Sequence, residues 1–188
     1  MTLAPAVPAA PAAPAEAPSR SPAPAAILHA IATVLFAGAA ATVAFDLFGQ
    51  VLSPMLKSLA SPYLGAKLAP VPLASQVLAT LTGLPGKELG ALGLPHGLHM
   101  LTGLVAYPLG YLLVVRPLHR AVLPGLHWAV PAAAYGVALW VLALYVMAHL
   151  VAGNPAFLGW GGLTWVALWG HVIFALVAAA VIEARLPR

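Results

Sequence analysis

ILHAIATVLFAGAAATVAFDLFGQV, residues 27–51, is the stretch that decides the class of this chain. Asp46 is its only formal charge, and the run is long enough to cross about 30 Å of hydrocarbon at about 1.5 Å per residue. It is longer than the apolar region of a secretory signal, about 7–15 residues, and lies far from Met1. A retained transmembrane helix is therefore predicted.

Three later runs have the same character: residues 96–115, 130–150 and 161–182. The fold class predicted is all-α, a polytopic membrane protein with a four-helix transmembrane bundle. Composition agrees, because 62% of the 188 residues are hydrophobic and only 6% are charged. A soluble domain carries about 25% charged residues, so this chain has too few polar groups to face water. Residues 1–26, built mainly of Ala and Pro, are expected to form a disordered tail, leaving 27–188 as the transmembrane domain.

Residues 52–95 hold Lys57, Lys67, Lys87 and Glu88 and are cut by Pro54, Pro62, Pro70, Pro72, Pro85 and Pro95. The longest unbroken piece, 73–84, is too short to span. A partly helical segment at the interface is predicted there. Arg20, Arg116, Arg120, Arg185 and Arg188 would share one side of the membrane, the three lysines the other. By the excess of basic residues in cytoplasmic flanks, both termini are expected inside. Ala37–Ala41 with Gly38, and Gly103, Ala106 and Gly110, offer close helix approach. Trp128 and Trp160 fit the membrane boundaries, and Trp140, Trp165 and Trp169 are expected to pack or face lipid.

Several function classes fall away. The net charge of +4 is spread thinly, so no nucleic-acid footprint exists. Zero cysteines exclude disulfides, thiolate metal sites and a Cys nucleophile. No glycine-rich phosphate loop and no Ser-centred nucleophile elbow is present.

The informative residues are ionisable groups inside apolar runs. A carboxylate at Asp46 is expensive unless solvated, protonated or paired, and Thr42 shares its helix face. His96 and His99 open the second span, three residues apart on one face, and His149 closes the third at the same end. Helix packing would bring Asp46, His99 and His149 into one polar layer, with His96 at its mouth, His171 several ångströms deeper, and Tyr145 one turn before His149 as a hydrogen-bond donor. Three readings stay open: structural contacts, a proton relay through Asp46, His99, His149 and His171, or metal binding by His96, His99, His149 and Asp46. Haem held between His99 and His149 belongs with the third. At the other end, His29, His119, His127, Arg116 and Arg120 are expected to meet lipid headgroups, with Glu183 and Arg185 solvating the last helix end.

The small-residue run and late charge of residues 35–50, the His96-Gly-Leu-His99 opening, His149, and Gly170-His171-Val172 followed by Phe174 and Glu183 resemble the YagU-like group of small bacterial inner-membrane proteins. The resemblance covers most of the chain beyond the tail. It implies a bacterial inner-membrane location and, from an association of one member with acid resistance, a role for Asp46, His99, His149 and His171 in pH homeostasis. The leading expectation is a proton- or cation-responsive membrane protein. The competing ones are an accessory subunit of a larger membrane complex or homo-oligomer, built on its small-residue faces, and a haem- or metal-binding redox protein.

Overall fold

The computed structural model describes residues 24–57 and 63–187, and among these every regular element is a helix. Four helices are long and apolar enough to cross a membrane: α1 (Pro24–Met55), α4 (Leu94–Val122), α5 (Ala129–Val151) and α6 (Gly162–Arg185). Two shorter helices, α2 (Pro70–Thr82) and α3 (Gly86–Ala91), link α1 to α4. The chain is an all-α, multi-pass membrane protein. The tail expected over 1–26 lies outside the described residues except for its last three, which begin α1.

Helix α6 is the most buried span and runs between α1 and α5, while α4 packs on α1. The buried stripe of α1, Thr33, Val34, Ala37, Gly38, Ala41, Thr42 and Phe45, recurs every three to four residues, which puts it on one face. Where Gly38 crosses α4, a Cβ would lie 2.6 Å from the Leu104 Cα; at Gly136 of α5 it would lie 2.6 Å from the Val172 Cα of α6. Only glycine allows such approach, and dispersion between close backbones is what joins helices in lipid. The opposite faces, including Ile31, Leu35, Phe36, Val43 and Leu47, are exposed and apolar, as a hydrocarbon solvent allows.

The spans run past the prolines and charges that bound them in the sequence, and the backbone shows how. Ser53, Tyr107 and Arg116 each directly precede a proline, and each donates its N–H five residues back, to the carbonyls of Phe48, Thr102 and Tyr111. Proline has no N–H and its ring crowds the preceding turn, so a single wide turn accommodates it without ending the helix. Each wide turn skips one carbonyl: Gly49, Gly103 and Leu112. Leu68 donates to the Gly49 carbonyl at 3.0 Å, pinning the chain before α2 against α1. The Gly103 carbonyl lies 2.7 Å from where a Gly38 Cβ would stand, in place for a weak Cα–H contact.

Helix α2 carries Pro70 and Pro72 in its first turn, where a missing N–H costs nothing, and stops at Gly83 in the left-handed conformation (φ 71). It packs against the first turns of α4 and the last turns of α5. Between α5 and α6 the chain makes a left-handed turn at Phe157 (φ 49), Leu158 (φ 54) and Trp160 (φ 59). Such backbone costs about 1–2 kcal/mol per residue. It is held by aromatic packing, with Phe157 centred 4.6 Å from both Trp140 and Trp160, and by the Trp140 Nε1–H donating to the Thr164 carbonyl at 3.0 Å.

Candidate functional site

Helices α4 and α5 pack together where Tyr111–Val115 meets Ala129–Val141, near the end that holds Pro24 and Pro187. Toward the α2 end they diverge, and α2 bridges the gap. The divergence leaves a cavity of ≈ 520 Å³ whose wall is almost wholly apolar. Its few polar contributors are Thr42 of α1, His99, Thr102 and Tyr107 of α4, His171 of α6, and the Gln76 and Asn154 side chains under α2. Ala106, on the cavity wall and exposed, marks its mouth between the spans.

Two polar atoms here are buried without a hydrogen-bond partner, His99 Nε2 and Thr42 Oγ1. Thr42 is 6% exposed, its hydroxyl oxygen set against Gly103 of α4, 2.5 Å from where a Cβ there would stand. Thr102, by contrast, returns its hydroxyl to the Leu98 carbonyl at 2.7 Å. His171 is also buried; its Nδ1 bonds the Ala167 carbonyl at 2.7 Å, which fixes the ring against Phe45, with centroids 5.2 Å apart. His99 and His171 stand within electrostatic reach of each other, and Asp46 and His96 within reach of His99. Tyr107 lies beyond His171 on the same wall, its carbonyl receiving the Tyr135 hydroxyl at 2.9 Å.

The sequence-derived layer is thus partly assembled and partly redrawn. His171, expected to stand apart, shares the cavity with His99. His149 does not border the cavity: its Nδ1 is engaged with the Asn154 carbonyl at 2.7 Å, and Asn154 Nδ2 donates to Gln76 Oε1 at 2.8 Å. His149 therefore closes the end of α5 onto α2, and the haem pairing of His99 with His149 has no shared space. Asp46 is half-buried and accepts from Gln50 Nε2 at 2.9 Å, one turn along its own helix, while His96 is exposed on the first turn of α4. The metal set His96, His99, His149 and Asp46 is not gathered. Among the described residues no three His, Asp or Glu side chains group closely enough to hold an ion. Tyr107 and Gln76 carry no signal of their own in the sequence, since only the splay of α4 from α5 makes them neighbours.

A second polar cluster lies at the termini end. Glu183 of α6 accepts from Arg116 Nε at 3.0 Å, from Arg120 Nη2 at 3.2 Å and from the Tyr111 hydroxyl at 3.3 Å. Arg116 Nη2 also donates to the Leu186 and Pro187 carbonyls at 3.1 and 2.9 Å. This corrects the expectation that Glu183 is solvated and that both arginines meet headgroups: Arg116 is buried, and the carboxylate spends its charge on it. Arg185 instead lies over the Phe36 ring, 5.0 Å from its centroid, and its carbonyl bonds His29.

Fold and cavity together define the class: a multi-pass membrane protein with a largely apolar chamber inside its bundle. Comparison with family models, curated proteins and solved structures finds no match to the chain.

Proposed function

We propose that this is a multi-pass protein of a bacterial cytoplasmic membrane, both termini inside, that holds a small membrane-soluble molecule in the chamber between α4 and α5, with occupancy linked to protonation at His99 and His171. The observation that carries the reading is the ≈ 520 Å³ chamber itself, an almost wholly apolar wall on which His99, Thr102 and His171 are among the few polar residues. His99 Nε2 is buried without a partner, which costs about 1–3 kcal/mol, and a turn of the ring toward the chamber would let a ligand oxygen recover that cost. Apolar pockets with a few convergent polar groups are the usual form of small-molecule sites.

An imidazole that bonds the ligand in one protonation state and not the other makes binding proton-responsive. A part in pH or envelope homeostasis follows from that linkage and from the resemblance to the YagU-like group. For orientation, Arg116, Arg120 and Arg185 stand at the termini end, and Arg20 and Arg188 flank it in sequence; Lys57, Lys67 and Lys87 belong to the α2 end.

The test uses full-length protein in detergent micelles and 2-naphthol, a fluorescent lipophile with one hydroxyl, titrated across a pH series. Wild type binds saturably and with pH dependence. His99→Phe, which keeps a flat ring and removes the ring nitrogens, removes the pH dependence and weakens binding roughly fivefold, the worth of about one hydrogen bond. Ala106→Trp at the mouth abolishes it. Equal binding by the wild type and both folded variants refutes the proposal.

A further inference from the structure

The termini end holds a second opening, a pocket of ≈ 240 Å³ lined by Leu112, Leu113, Arg116, Pro117 and Arg120. We infer that it is a binding site for an anionic phospholipid whose headgroup carries hydroxyl donors, the phosphate meeting Arg120 and the headgroup hydroxyls the skipped carbonyl of Leu112.

Charge comes first. Two guanidinium groups face one carboxylate, Glu183, so the cluster keeps a surplus positive charge. Arg116 is spent on Glu183 and the C-terminal carbonyls, whereas the Arg120 side chain is 39% exposed and uses Nη2 alone on Glu183. Arg120 lines the pocket, and a guanidinium suits a phosphate through paired N–H donors.

The backbone supplies the second observation. Arg116 gives its N–H to Tyr111 and Pro117 has none, so neither residue that would ordinarily serve the Leu112 carbonyl does so. In the two other proline-associated wide turns the skipped carbonyl meets protein, the Leu68 N–H or the Gly38 backbone. Leu112 itself lines the pocket. A bare carbonyl repels a simple anion but accepts from a hydroxyl, which selects a phosphate carrying a donor beside it over free phosphate.

The apolar surroundings fix the source of that phosphate. Leu113, Val114, Leu118 and Val122 are 65%, 61%, 60% and 62% exposed along the same helix, a surface that acyl chains cover. A soluble phosphate ester has nothing to place there.

Full-length protein is reconstituted in nanodiscs of mixed phosphatidylglycerol and phosphatidylcholine, released, and the retained lipids counted by native mass spectrometry. Wild type retains phosphatidylglycerol preferentially. Arg120→Gln lowers that preference about fivefold, the effect of one basic residue at an anionic membrane surface, and Arg120→Lys restores most of it. Leu113→Trp fills the pocket, leaves the Glu183 network untouched, and lowers retention as well, which keeps the test decisive should Arg120→Gln fail to insert. Unchanged preference in the folded Arg120→Gln or Leu113→Trp protein overturns the inference. So does displacement of the retained lipid by inorganic phosphate alone, which would mark a free-anion site.

Discussion

Replacing Glu183 by alanine strips the acceptor from three donors at once. Arg116 and Glu183 have side chains only 9% and 14% exposed, so little solvent enters to compensate. Arg116 keeps the Leu186 and Pro187 carbonyls and stays hydrogen-bonded, but its charge is left unpaired, a loss of about 3 kcal/mol at the low end for a broken buried pair. The Tyr111 hydroxyl, long at 3.3 Å, adds about 1 kcal/mol. Arg120 is exposed enough to turn to headgroups and adds little. The total expected is about 4 kcal/mol. The double variant Arg116→Met with Glu183→Leu leaves no unpaired buried charge and keeps only the losses at the Tyr111 hydroxyl and at the Leu186 and Pro187 carbonyls, so it should be less destabilised than Glu183→Ala, by about 2 kcal/mol. Unfolding in mixed micelles with rising dodecyl sulfate, followed by tryptophan emission, measures both. Trp128 packs on the Tyr111–Ile182 cluster and reports this end of the bundle. A Glu183→Ala loss below about 1 kcal/mol, or a double variant weaker than the single one, refutes the account of the network.

Gly136→Ala places a methyl 2.6 Å from the Val172 Cα and 2.7 Å from the His171 carbonyl, backbone on both counts, so α5 and α6 must separate; a loss of about 1–3 kcal/mol in the same titration is expected. The companion change Gly90→Ala, in α3 with open space around it, should be neutral or mildly stabilising. A reporter enzyme active only in the cytoplasm, fused after Arg188, should be active, and activity of a periplasm-dependent reporter there would reverse the orientation.

The spans were legible because length and hydropathy alone decide them, and no tertiary contact is needed to see that residues 27–51 cannot face water. Their ends were not. Arg116 marks a boundary in the sequence at 115, yet α4 runs on to Val122 since Glu183, far along the chain, neutralises the charge. Pro54 likewise signals a stop, but a wide turn at Phe48–Ser53 carries α1 through to Met55. The piece expected at 73–84 became Pro70–Thr82 because prolines fit a first helical turn and Gly83 adopts a left-handed cap. In the site, His99 and Thr42 were readable as polar groups within apolar helices. Their common wall with His171 was not, because it arises from α4 and α5 parting toward α2, a feature of packing that leaves no periodic mark. The tie of His149 to Asn154 was nearer the surface of the sequence, a histidine in a last turn close to the carbonyls it can bond.

The proline-associated turns of α4 carry one more consequence. Each inserts the equivalent of a single residue into the helical phase, roughly 100° of rotation. Two lie between His99 and Arg116, so a uniform helical wheel drawn from His99 would set Arg116 on the wrong flank, by about half a circle. Deleting one residue ahead of Pro108 or Pro117 would restore regular phase locally and swing everything downstream away from Glu183. Those two loci are where the length of this span is least free to change, although no ligand need touch them.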